Sequence, residues 1–193
     1  MKVGVLAVQG DFEAHRKMLE ALGAETREVR TPADLEGLDA MILPGGESTT
    51  HVKLLEEEGL GPALRDFAAC GGAIFGTCAG AILLAREVRN PVQASLGLLD
   101  IAVVRNGYGR QVVSDIRLGS SRLKETPLEM VFIRAPVIER VGRGVEVLAE
   151  EGGRPVLVRQ GSLLAATFHP ELTDDTTVHR YFLNMAAKKA RAA

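Results

Sequence analysis

Gly76-Thr77-Cys78-Ala79-Gly80 is a G-x-C-x-G segment between a short apolar run, Ala73–Gly76, and a helical one, Ala79–Ala85. Strand, tight turn and helix in that order are the setting of a nucleophile elbow. The turn leaves room only for small residues at two positions either side of the nucleophile. The side chain between them is pushed out at the carboxyl end of the strand. The following helix aims its N–H groups and positive dipole end at the sulfur, and both favour thiolate over thiol. Without that setting the segment reads as a buried small cysteine beside turn glycines. The other cysteine, Cys70, ends a helical stretch before Gly71-Gly72 and reads as structural.

A cysteine nucleophile needs a base. The chain has four histidines: His15, His51, His169 and His179. His169 follows the apolar run Leu163–Phe168 and precedes Pro170, which holds it extended. In extended chain, positions i and i+2 point the same way, so Glu171 can reach the imidazole of His169. A carboxylate there fixes the tautomer and stabilises the imidazolium. Alone, His-Pro-Glu also fits a loop with a capping glutamate; the elbow tips the reading toward a base. His15 lies on the apolar face of the first helix and is expected to pack in the core or at its edge. His51 is expected to pack as well, with lining the site as its alternative, and His179 is expected on a helix surface. No Cys/His pair has a zinc-ligand spacing, so no metal is expected.

Pro44-Gly45-Gly46-Glu47-Ser48-Thr49 follows a third candidate strand, Ala40–Leu43. Its glycines allow backbone N–H groups to turn toward a ligand. Gly46 and Ala79, the residue after the nucleophile, are the expected donors to a developing oxyanion. The plainer reading is a strand-to-helix turn capped by Ser48 or Thr49, and both can hold together.

These loops must be presented by a scaffold. Val3–Val8 is an apolar run suited to a strand buried on both faces. His15, Met18, Leu19 and Leu22 keep helical spacing after Asp11, and Gly23 ends that helix. Glu25–Arg30 is another strand, and helical pattern returns over Thr50–Glu57 and Pro62–Ala69. This alternation predicts an α/β fold with a mostly parallel central sheet flanked by helices. Ile101–Val104, Val112–Leu118, Met130–Ile133, Glu146–Ala149, Pro155–Gln160 and Leu163–Phe168 predict added antiparallel strands, with Gly152-Gly153 as a hairpin turn. A closing helix runs from Thr176 into a basic tail, Lys188, Lys189 and Arg191, read as a solvated helix end.

The chain has 193 residues, 46% hydrophobic and 25% charged, which suits one domain over 1–193. A net charge of -2 disfavours nucleic acid as a partner. Two cysteines make no disulfide framework, and neither a signal core nor a membrane-length apolar run is present, so a soluble cytoplasmic protein is expected.

With these motifs together the sequence resembles the class I (triad) glutamine amidotransferases, and within them the glutaminase subunits of pyridoxal 5'-phosphate synthases. The resemblance covers essentially the whole chain. Beyond the elbow and His-Pro-Glu it rests on Gly4–Gly10, Leu43–Thr50, Arg105-Asn106, Gly109-Arg110-Gln111 and Phe132–Pro136. It implies a flavodoxin-like fold, a triad of Cys78, His169 and Glu171, and glutamine-binding positions at Gly46, Glu47, Ser48, Arg105, Ile133 and Arg134. Without it, Arg105 and Arg134 read as surface or structural ion pairs. It implies hydrolysis of L-glutamine to glutamate and ammonia, with the ammonia passed to a separate synthase subunit in a large hetero-oligomer. No cofactor is implied, since pyridoxal phosphate is the product. One departure is Asp115, where the family has an aromatic residue. The alternatives are a glutaminase for another acceptor, such as imidazole glycerol phosphate synthase, an inactive regulator, or a cysteine hydrolase or chaperone of related fold.

Overall fold

The computed structural model describes residues 1–105, 107 and 114–190. Asn106, Gly109, Arg110, Gln111 and the start of the strand expected from Val112 lie outside them, as does Arg191. The first half runs β1 (Lys2–Leu6), α1 (Phe12–Ala21), β2 (Glu25–Val29), β3 (Ala40–Leu43), α2 (Ser48–Glu57), α3 (Leu60–Ala69), β4 (Ala73–Thr77) and α4 (Ala79–Leu84). It continues through β5 (Ala85–Arg89), β6 (Leu99–Val104), β7 (Ser114–Ser121), β8 (Leu128–Ile133), β9 (Val137–Val141), β10 (Glu146–Glu151), β11 (Arg154–Gln160), β12 (Leu163–Ala166) and α5 (Thr177–Ala190). Among the described residues no helix is long and apolar enough to cross a membrane.

The large sheet has the order β2-β1-β3-β4-β12-β11-β10-β7-β8. Its first five strands are mutually parallel, and the pairs from β12 through β11, β10, β7 and β8 are antiparallel. A smaller sheet, β5-β6-β9, packs beside it. β1, β3, β4 and β12 are buried on both faces, as their unbroken apolar runs require, whereas the edge strand β2, ETREV, stays largely open to solvent. Val3, Val5, Ile42 and Phe75 face one core with Leu19 of α1 and Val178 and Phe182 of α5. Leu6, Met41, Leu43 and Ile74 face the other, with Leu55 of α2 and Leu64 of α3. Val178 and Phe182 are fully buried. At about 1.5–3 kcal/mol for each fully buried side chain of this size, they fasten α5 across the sheet.

The predicted alternation is present, and so are the added strands, but two of those expected to be antiparallel are mixed. β12 pairs in parallel with β4 and β6 in parallel with β5, each antiparallel only to its other neighbour. Further corrections fall at the edges. The first strand stops at Leu6, and the last at Ala166. The helix expected through Ala85 ends at Leu84, because Ala85 begins β5. β5 and β9 were not expected. Their sequences, AREVR and VIERV, are short and charged, and their burial does not alternate cleanly, so neither strand period is visible. Gly152 and Gly153 both take positive φ, 56° and 73°, as a two-residue hairpin between β10 and β11 demands. Asp115 sits exposed on β7 and pairs with Arg117 Nε at 2.8 Å.

Candidate active site

The elbow joins β4 to α4, two strands from the sheet's parallel edge pair β1 and β2. Cys78 takes φ 49° and ψ −102°, a backbone conformation an L-residue holds only when its surroundings impose it. Its N–H donates to the Ala166 carbonyl at 2.8 Å, tying the turn to β12. A Cβ on Gly76 would overlap the Gly80 carbonyl, and one on Gly80 would overlap the Leu43 carbonyl. Both flanking glycines are therefore required by backbone contact, as the motif predicts. Cys78 is 6% exposed, and its Sγ lies 3.8 Å from the Ile133 carbonyl oxygen.

His169 leaves β12 with its N–H on the Val131 carbonyl at 2.8 Å. Its Nδ1 is 2.7 Å from Glu171 Oε1, and its ring shares the cavity wall with Cys78. Burial works to lower the imidazole pKa, but the hydrogen bonds and charges of Cys78 and Glu171 outweigh it and raise the value to about 10. His169 is thus held as an imidazolium through neutral pH. Burial likewise pushes the Glu171 carboxyl up, yet neighbouring His15 and the His169 hydrogen bond hold it below its ordinary value. The pair is buried, and a buried ion pair offsets its desolvation only where the remaining oxygens are also satisfied.

The third loop closes over this pair. Gly45 packs against the His169 ring so closely that a Cβ would strike it. Gly46 takes φ 146°, with the Gln9 side chain against it. Gln9 Oε1 accepts from Glu47 N at 3.1 Å and so ties the loop to the end of β1. The helix cap is Glu47, not Ser48 or Thr49. Its carboxylate accepts from Thr49 N at 3.2 Å and Thr50 N at 2.8 Å. The Thr49 hydroxyl bond, opposed by burial and helped by these N–H groups, pulls its pKa down to about 2. Ser48 is buried instead and donates to Gln93 Oε1 at 3.0 Å.

A cavity of about 320 Å³ opens over these loops, and Gly46, Glu47, Ser48, Cys78, Arg105, Ile133, Arg134 and His169 line it. Ala79 and Glu171 lie behind its wall, both buried. Ala79 opens α4, so its N–H is among those a helix start leaves without an intrahelical partner. Arg105 Nη2 pairs with Glu47 Oε1 at 3.1 Å, which sets opposite charges side by side on the rim. Arg134 is exposed with φ 45°, another strained position beside the cavity.

Gln9, Asp11, Ile82 and Leu172 also line the cavity but were not expected at the site; Asp11 was expected as the cap of α1, which it is, accepting from Ala14 N at 3.4 Å. Gln9 had a signal: a polar residue just past the carboxyl end of a parallel strand, where such sheets bind ligands. His179 is fully buried, contrary to the expected helix surface, because it lies beside Val178 on the docked face of α5. His51 is buried with Nε2 on the Gln9 carbonyl at 3.0 Å. Cys70 caps α3 at the surface, away from the cavity. Among the described residues no group of three or more His, Cys, Asp or Glu is placed to hold a metal.

The model of the SNO glutamine amidotransferase family matches residues 5–188. The chain is 57% identical over 195 residues to a pyridoxal 5'-phosphate synthase subunit PdxT of Deinococcus radiodurans, covering 98% of this chain and 100% of that one. It is 57% identical over 189 residues to a PdxT of Thermus thermophilus, covering 95% and 97%. A solved glutamine amidotransferase superposes with a TM-score of 0.91 at 53% identity, over 96% of this chain and 98% of that one. A putative GMP synthase subunit from Thermoplasma acidophilum shares the fold, with a TM-score of 0.76 at 18% identity over 100% and 96%. The chain therefore belongs to the SNO glutamine amidotransferase family.

Proposed function

We propose that the chain acts over residues 1–193 as one glutaminase domain, the ammonia-supplying subunit of a pyridoxal 5'-phosphate synthase. The observation that carries this reading is Cys78 and His169 together on the wall of one cavity with opposed charges at its rim, His169 being held by Glu171 at 2.7 Å. The names of its relatives, pyridoxal 5'-phosphate synthase subunits, supply the pathway.

In this reading L-glutamine enters with its side-chain amide toward Cys78. Arg105 and Arg134 suit its α-carboxylate, and Glu47 suits its α-ammonium. The Cys78 thiolate attacks the amide carbon, and the oxyanion rests on the Gly46 and Ala79 N–H groups. His169, held as an imidazolium, protonates the departing nitrogen, and ammonia leaves. A γ-glutamyl thioester remains on Cys78. His169, now neutral, takes a proton from water, the hydroxide attacks the thioester, and glutamate departs.

Ammonia released into water at neutral pH becomes mostly ammonium, which is no nucleophile, so delivery to an acceptor site on a separate synthase subunit completes the function. Gly45 and Gly46 make a peptide reorientation in the oxyanion loop inexpensive, and a partner that binds one orientation better shifts the loop toward it. The expected result is low glutamate production by the chain alone and a higher turnover with the synthase subunit. A steady-state glutaminase assay in both conditions checks this; equal turnover at concentrations where the complex forms would reject the gating. Failure to release glutamate in either condition would reject the function itself.

Glu171→Gln is expected to lower kcat by about 10–100-fold, the equivalent of losing one charged hydrogen bond of roughly 1.5–3 kcal/mol. The amide oxygen can still accept from His169, so the base keeps its place and loses only the charge. Turnover equal to the parent at saturating glutamine would remove Glu171 from the mechanism.

A further inference from the structure

The polar chain that begins at Cys78 does not end at Glu171. One carboxylate oxygen, Oε1, takes the His169 contact, and the other, Oε2, is buried with no hydrogen-bond partner. The group facing Oε2 is His15 Nε2 on α1, at 3.4 Å, and both side chains are wholly buried. The same nitrogen lies 3.1 Å from the hydroxyl of Thr77, the residue before the nucleophile. His15 Nδ1 lies 3.0 Å from His179 Nε2 on α5.

These distances select a tautomer. A bare His15 Nε2 would set a lone pair against the Glu171 carboxylate, so Nε2 carries the proton; it is hydrogen-bonded to the Thr77 oxygen at 3.1 Å and meets Oε2 at 3.4 Å as an electrostatic contact. Nδ1 is then an acceptor, and His179 must donate to it from Nε2–H. Burial lowers the pKa of His15, and burial together with His15 lowers that of His179 to about 3, which favours the neutral form of each ring. An aliphatic residue would satisfy the apolar face of α1 as well as His15 does. The engagement of both ring nitrogens does not follow from packing.

We propose that His15 is a positioning residue for glutamine hydrolysis: its Nε2–H anchors the second oxygen of Glu171, and His179 fixes the tautomer that makes this possible. The chain of donors runs from α5 through α1 to the carboxylate, so Glu171 is held at both oxygens and His169 is aimed at Cys78. The proposal rests on the glutaminase reading above.

The test compares the full chain with His15→Phe, which keeps a ring of similar size without a donor, and His15→Gln, whose amide N–H can reach Oε2. Three readouts are combined: steady-state kinetics in the presence of the synthase subunit, the proton resonance of His169 Nδ1–H in the chain alone, and thermal melting. His15→Phe is expected to lower kcat by about tenfold or more, the scale on which removal of an outer partner of a functional histidine acts. KM for glutamine stays put, since His15 touches no part of the cavity. The Nδ1–H resonance moves, and His15→Gln restores most of the lost turnover and the resonance. A parent-like kcat and an unmoved resonance in His15→Phe would overturn the proposal. So would equal losses in both variants that follow an equal fall in melting temperature, which is the signature of packing alone. If the parent releases no glutamate, the glutaminase reading fails, and the resonance still decides whether His15 holds the Glu171–His169 pair.

Discussion

Cys78→Ala is expected to abolish glutamine hydrolysis, a loss of at least about 10⁴-fold, while leaving the fold intact. The chemical loss is complete because among the described residues of the cavity wall Cys78 is the one thiol; Ser48 lines it, but its hydroxyl is engaged with Gln93 at 3.0 Å. The structural loss is small. Cys78 and alanine suffer the same strain at φ 49°, and the 2.8 Å backbone bond from residue 78 to Ala166 does not involve the side chain. Stability is expected to change by less than about 1 kcal/mol. Glutamate release by the variant with the synthase subunit present, followed by a coupled dehydrogenase assay, checks the first part; a thermal melt checks the second. Substantial turnover by Cys78→Ala would remove the cysteine from the reaction, whereas Cys70→Ala is expected to keep parental activity.

His169→Asn has the second largest expected effect, a fall in kcat of about 10²–10⁴-fold. Both half-reactions move a proton through this ring, first to the leaving nitrogen and then from water, so no step is spared. Asparagine keeps a polar group on Glu171 but cannot be an acid at neutral pH. The imidazolium is present because Cys78 and Glu171 overcome the burial that would otherwise neutralise it. Acylation measured as a single-turnover burst separates the two roles: the burst itself is expected to slow. An unchanged burst with slow steady state would confine His169 to the hydrolytic half.

The central features were legible because tight backbone constraints leave residue-type signatures. Gly76 and Gly80 stand where a Cβ meets a carbonyl, and only glycine answers that demand, so the elbow is visible without coordinates. The His169–Glu171 pair was expected from an extended segment, but Pro170–Leu172 form a 3-10 turn with His169 at its start, so the pairing is present while the conformation that makes it was not legible. What stayed hidden depends on contacts between distant segments. His15 and His179 are 164 positions apart yet 3.0 Å from one another, and no local pattern reports that meeting. His179 in particular shares α5 with exposed residues, and only the docking of Val178 and Phe182 shows which face is inward. Glu47 as a cap was missed because serine and threonine beside it are the commoner capping residues. β5 and β9 were missed because their pairing in a small sheet buries them unevenly.

The glutaminase mechanism stands most directly on its covalent intermediate. The chain, assembled with the synthase subunit, would be mixed with glutamine, quenched in acid within the first turnovers, and read by intact and peptide mass spectrometry. A glutamyl adduct confined to the peptide bearing Cys78, forming with ammonia and decaying to glutamate, is the predicted result. Glutamine consumed with no adduct on Cys78, or an adduct on Cys70 instead, would contradict the assignment of the nucleophile.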